Sequence, residues 1–372
     1  MRRSIAATLF ALGLLIPHPA LAHPGAGIVV DRIGRVYFVV PGRNSILLID
    51  ERGRLGVFLD DIRLSLPHHL VFDRRGDLYT ISDNDGSAWR ISADGRMTRV
   101  LQAPIGSFGD PFTLDSAGVF YSITSGERAR VVRVTQDGRM SPLAGGAEGY
   151  ADGVGAVARF GGLHFSGMVV GPDAALYVTD DTRVRRVAPD GAVSTVRASG
   201  LDLGMAIGIA VDAAGTLYVA DYRNRRVVKI QPNADATELA GSAGLHATGV
   251  TLGQSGETYV LDNPLQSTRV WRIDRDGSRR QLVCVNARGN AFVYSPLAVA
   301  AVLLLALAFG RAPTRRNWIG SSLATGLIVL FAAALVRGSC ASGAGRYLLG
   351  PLFVLSVAVS MARVRKPAHA AV

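Results

Sequence analysis

The hydrophobic pattern is clearest over Gly208–Asp221, Gly-Ile-Ala-Val-Asp-Ala-Ala-Gly-Thr-Leu-Tyr-Val-Ala-Asp. Ile209 and Val211 alternate with small residues, as one face of a buried strand requires. Asp212-Ala-Ala-Gly215 has turn composition, with Gly215 able to take positive φ. Leu217-Tyr-Val-Ala220 then runs back as a second strand. A lone two-stranded hairpin is marginal in water, so the phrase should recur.

It does recur. An Asp followed six residues later by Tyr occurs at Asp31/Tyr37, Asp73/Tyr79, Asp115/Tyr121 and Asp212/Tyr218. Two degenerate copies carry Gly in place of Asp, at Gly171/Tyr177 and Gly253/Tyr259. Successive tyrosines stand 42, 42, 56, 41 and 41 residues apart. A period near 40 with about four short strands per unit is the signature of a β-propeller blade. Each unit carries a second hairpin, often turned by Asp-Gly, as at Asp94-Gly95, Asp137-Gly138, Asp190-Gly191 and Asp276-Gly277. The fold class predicted is all-β, a six-bladed β-propeller. Each blade is expected from one contiguous repeat, with the ring closed by packing of the first blade on the sixth.

Charge and hydropathy divide the rest of the chain. The formal net charge of +11 suggests a nucleic-acid or anionic-lipid binder until it is located. No Asp or Glu follows Asp276, whereas eleven Arg and Lys do, so residues 1–276 hold 29 basic against 29 acidic residues. The globular part therefore has no basic footprint for nucleic acid. Residues 1–22 read as a secretory signal: Arg2-Arg3, the apolar core Ile5–Ile16, Pro17 and Pro19, then Ala20-Leu-Ala22 before the cut. The propeller is expected over 23–285. Residues 286–372 read as a C-terminal α-helical membrane anchor with helices near 291–310, 318–336 and 347–362, the third only sixteen residues long. Arg311, Arg315 and Arg316 in one loop, and Arg363, Arg365 and Lys366 in the tail, place both on the cytoplasmic side by the positive-inside rule. The propeller then lies on the periplasmic or extracellular side of the cytoplasmic membrane, as a cleaved signal also requires. Cys284 and Cys340 both fall on that oxidising side and are candidates for a disulfide.

Two segments resemble a known family. The stretch Gly145-Gly-Ala-Glu-Gly-Tyr150-Ala-Asp152-Gly through Ala158-Arg-Phe160 is similar to the inter-blade loop of NHL-repeat propellers. Asp221-Tyr-Arg-Asn224-Arg225-Arg226-Val227 resembles the NHL pattern Asp-x-x-Asn-x-Arg-Ile/Val. The resemblance covers roughly residues 27–284 and reaches the gluconolactonase- and regucalcin-like propellers. It implies the fold; activity varies widely on this fold.

Propeller sites lie at the axial channel, where the residue before each inner strand's Gly points. That position holds Ala26, His68, Asp110, Ser166, Ile207 and Thr248. The gluconolactonase-like resemblance implies carboxylate and Asn ligands for a divalent metal there. Leu66-Pro67-His68-His69-Leu70 is similar to the zinc-binding Pro-His-x-Leu phrase of peptidyl-amidating lyases, in repeat two alone. His164 and His246 each stand three residues before their repeat's Gly; with His68 or His69 they mark alternate blades, from which neutral imidazoles could bind a metal. No nucleophile elbow, Walker motif, His-Glu-x-x-His or Cys-x-x-Cys occurs. The axial positions lack a complete catalytic set. The reading is a membrane-tethered module, without cofactor, that binds an extracytoplasmic protein, peptide or glycan through His68, His69, Asp110, His164 and His246. The alternative is a metal-dependent hydrolase or lyase of the gluconolactonase-like class, with zinc or calcium held by His68 and Asp110. No ion path is suggested, because the apolar runs carry no acidic residue.

Overall fold

The structure, a computed structural model, describes residues 26–82, 85–102, 109–124, 129–135, 139–161, 166–264 and 267–286. The signal segment, the three apolar runs, His164 and Cys340 lie outside them. The described residues form six antiparallel sheets in chain order. Five have four strands; the fourth gains a fifth strand, Gly153–Val154, on its outer edge. The innermost strands are Ile28–Val30, Val71–Phe72, Gly109–Leu114, Met168–Val170, Ala206–Val211 and Ala247–Leu252. Each sheet is one contiguous repeat, as the sequence predicts.

The alternating residues explain where the core sits. The propeller has no single centre; apolar side chains fill six layers, each shared by two successive blades. The layer that closes the ring joins Ile28, Phe38 and Leu47 of blade one to Tyr259, Leu261 and Val270 of blade six. No strand is exchanged across that closure. Innermost strands abut closely because four of them carry a glycine at or near the start, Gly27, Gly167, Gly208 and Gly249. A Cβ on Gly27 would stand 2.8 Å from the His68 carbonyl oxygen, and one on Gly208 would stand 2.6 Å from that of Thr248.

The Asp…Tyr pair that defines the repeat is a turn cap joined to a buried phenol. Asp212 Oδ1 accepts from the Ala214 and Thr216 amides at 3.0 and 2.8 Å, while Gly215 holds φ at +86°. Asp31, Asp73 and Asp115 do the same, and their Oδ2 atoms accept from Tyr37, Tyr79 and Tyr121 at 3.5, 3.3 and 3.2 Å. Burial raises the pKa of each of these tyrosines, and the adjoining carboxylate raises it further. The two degenerate copies keep the bond with a carboxylate from elsewhere. Tyr177 donates to Asp173 at 3.3 Å, and Tyr259 donates to Glu257 at 3.2 Å. The glycines at 171 and 253 are what make room: a Cβ on either would overlap the substitute carboxylate.

Candidate functional site

Strand order puts the start of each innermost strand and the end of its neighbour at one end of the blade. One face of the disc therefore collects the axial residues and the loops between second and third strands. His68 is buried there, and its backbone carbonyl faces Gly27. His69 is half-buried and its carbonyl accepts from Thr80 Oγ1 at 2.8 Å. His69 and Pro111 occupy the positions that glycine holds in the other four blades. Asp110 lies on the innermost strand of blade three. Ser166 and Thr248 are buried, and Thr248 Oγ1 accepts from Asn263 Nδ2 at 2.6 Å while donating to the Leu261 carbonyl at 3.3 Å. Blades four to six offer a hydroxyl, an isoleucine and a hydroxyl already hydrogen-bonded. Among the described residues no three His, Cys, Asp or Glu groups come together as a metal would need.

Among the described residues, the buried carboxylates of this face lie in blades four to six. The phrases Tyr177-Val-Thr-Asp180, Tyr218-Val-Ala-Asp221 and Tyr259-Val-Leu-Asp262 end in carboxylates that the fold buries. Blades one to three have Val40, Ser82 and Thr124 instead. Each Asp accepts from backbone amides of the segment leading to its innermost strand: Gly161 to Asp180 at 2.9 Å, Gly204 to Asp221 at 2.9 Å, His246 to Asp262 at 2.8 Å. Each also pairs with arginine. Arg226 Nε reaches Asp221 at 3.1 Å, with Asn224 at 2.9 Å completing the Asp-x-x-Asn-x-Arg pattern. In blade four the arginine is Arg185, fully buried, 2.9 Å from Asp180 and 2.9 Å from Asp152.

Arg185 organises the long insertion. Its Nη atoms also donate to the carbonyls of Arg159 and Ala151, both at 2.8 Å. Asp152 accepts from the Thr195 amide and hydroxyl at 3.0 and 2.8 Å. The Gly-rich stretch is thus a folded flap, not a phosphate cradle. It holds Tyr150 at the surface, 46% exposed. The Tyr150 ring covers Gly161, its hydroxyl donates to Asp181 at 3.1 Å, and the Arg183 guanidinium lies 4.0 Å from the ring centroid. Asp181 takes φ +56°, a left-handed backbone uncommon outside glycine.

A second aromatic–cationic group stands on the same face. The Tyr222 and His246 rings are 5.9 Å apart, and Arg225 takes φ +59°, in the left-handed region like Asp181. Partial burial lowers the His246 pKa; Arg225 and Arg269 lower it further, against the opposing charge of Asp262. The folded state therefore resists a proton that the unfolded chain accepts near the ordinary imidazole value of about 6.5. Stability should be independent of this group above that pH and fall as pH drops through it. Thermal unfolding of wild type and His246→Gln at neutral and mildly acidic pH checks this: the variant should lose less on acidification, and an equal loss would remove His246 as the cause.

The Asp221, Asn224 and Arg226 geometry lies in a segment with a recognisable sequence signature. Residues 203–230 match the NHL repeat. A search of curated protein sequences finds no match. Among solved structures the chain is similar to virginiamycin B lyase from Staphylococcus aureus, at 17% identity over 70% of this chain and 85% of that one, TM-score 0.49. It is also similar to a gluconolactonase from Xanthomonas campestris, at 14% identity over 68% and 87%, TM-score 0.49. A calcium-binding regucalcin from Agrobacterium tumefaciens gives 14% identity over 64% and 81%, TM-score 0.46. The six-blade assignment rests on the sheet topology itself.

Proposed function

We propose that the chain is an exported propeller, tethered in the cytoplasmic membrane by its C-terminal apolar runs, that recognises an extracytoplasmic protein, peptide or glycan with the face of blades four to six. The observation that carries this reading is Tyr150. A large exposed aromatic fixed from beneath by Gly161, from the side by Arg183 and at its hydroxyl by Asp181 offers contact area at little entropic cost, as aromatic anchors of binding surfaces do. The same face adds Tyr222 and His246, donors and acceptors suited to hydroxyl- or amide-rich ligands. The membrane tether is supported by the apolar runs and by the agreement of signal and loop charges on one orientation.

Full-length protein in detergent, probed on a glycan array and on a panel of extracytoplasmic peptides, tests this. Wild type should retain a ligand that Tyr150→Ala binds at least tenfold more weakly, about 1.4 kcal/mol. Equal retention by the variant on every probe that wild type binds would sink the assignment of the face. The metal-dependent alternative rests on buried His68 with Asp110 in the next blade. Elemental analysis separates the two: stoichiometric zinc or calcium lost in His68→Ala would make this an enzyme of the axial channel.

A further inference from the structure

Outer strands are where a propeller exposes unpaired backbone groups, and native edges are ordinarily blocked by charge, proline, shortness or a cover. Five of the six blades follow that rule. Blade two's outer strand, Met97–Gln102, presents Arg99, and blade three's, Met140–Ala144, carries Pro142. Blade four is covered by Gly153–Val154, blade five's edge is the three-residue Ala236–Glu238, and blade six's begins with Arg279 and Arg280. Blade one follows it least, with only the terminal charge of Asp60 and a bulge at Phe58 to interrupt it. Its outer strand, Leu55–Asp60, has six residues and no Lys, Arg or Pro; Leu55 is 46% and Val57 63% exposed, with bare Gly56 between them.

The charges flanking this strand identify what fits it. Arg52 and Arg54 precede it and Asp60 ends it. Arg54 is largely exposed, bound by one nitrogen to Asp50 at 2.7 Å, and Asp60 makes no ion pair among the described residues. Antiparallel pairing of the strand with a copy of itself, centred on Val57, sets Arg54 opposite Asp60 twice. It sets Leu55 opposite Leu59, and Gly56 opposite Phe58, the residue bulged from the blade's own ladder. The segment is complementary to itself in charge and in apolar character.

We propose that two copies of the chain associate edge to edge through antiparallel pairing of Leu55–Asp60, forming one eight-stranded sheet across a two-fold axis. Opposite-charge cross-strand pairs stabilise a sheet and like charges destabilise it, and the two-fold doubles either effect. Sedimentation of the full-length chain in detergent at micromolar concentration should show a dimer. Arg54→Glu or Asp60→Arg alone should weaken it by about tenfold, and the double variant should restore it, because each reversed charge then meets its reversed partner. Both positions are exposed, and unchanged far-UV circular dichroism will establish that the variants fold. Val57→Cys should also cross-link on mild oxidation, since directly opposed residues stand about 4.5–5.5 Å apart at Cα, within disulfide reach. Ile33→Cys, similarly exposed on another surface, should not. A monomeric wild type, or a dimer that neither charge reversal weakens, or a double variant as weak as the singles, overturns the proposal. A dimer made by the apolar tail, or an edge that takes a strand of another protein, would give one of these results.

Discussion

Replacing Arg185 by methionine is expected to destabilise the propeller by about 3–5 kcal/mol, the usual cost of removing one member of a buried ion pair. The reason is local and complete. Asp180 is fully buried and loses its cation; Asp152 loses a partner; the carbonyls of Ala151 and Arg159 lose their donors. For a domain of this size the melting temperature should fall by about 6–20 °C. The insertion should become sensitive to proteolysis between Gly145 and Phe160, because Arg185 is the side chain on which its hydrogen bonds converge. Arg183→Met, on the same strand but lying over exposed Tyr150, should cost less than about 1 kcal/mol. Calorimetry on the two variants makes the comparison. A loss from Arg185→Met no larger than from Arg183→Met would mean that the flap is held by its backbone alone.

The second large effect concerns the displaced carboxylate in blade six. Gly253→Asp restores the parent residue of the repeat, yet should destabilise by about 1–3 kcal/mol. The new side chain overlaps buried Glu257 and brings two carboxylates together in one turn. Glu257→Thr should cost a similar amount, because buried Tyr259 loses its acceptor and the Ser255 amide loses another at 3.0 Å. Combined, the two changes rebuild the turn of blade five, Asp212 with Thr216. The double variant should regain most of the loss. Denaturant unfolding of all four proteins gives the coupling energy directly. Additive losses would show that the turns of blades five and six are not interchangeable.

That swap also shows how far the sequence could be read. Six tyrosines at a period near 40 were enough to place all six blades, because a strand's side-chain alternation is a local property. Contiguous repeats likewise followed from the first copy starting whole at Gly27. The compensation at Asp173 and Glu257 was not visible as spacing. It needs side chains of different lengths, from different places in the turn, to reach the equivalent phenols of two blades, Tyr177 and Tyr259, which only the three-dimensional arrangement reveals. The site was less legible. His68 and His246 stand out in the sequence by position, but the Tyr222 and Arg225 beside His246 come from the preceding blade. Asp180, Asp221 and Asp262 had a signal in the recurring Tyr-Val-x-Asp phrase. Tyr150 is legible in the sequence only as part of a family phrase; its placement depends on Gly161 and Arg183, which lie further along the chain.

The closure of the ring has a consequence for how the molecule moves. Five of the six boundaries between blades are crossed by the polypeptide, so separating those blades stretches a covalent link. The boundary between blade six and blade one has no such link. It is held by the apolar layer around Phe38 and Leu261 and by Arg43 donating to the Asn286 carbonyl at 3.3 Å. Sub-global opening begins where the least must be broken, so the disc should breathe as a split washer does, parting at that one boundary while the other five stay shut. The last described residue, Asn286, lies on the parting edge.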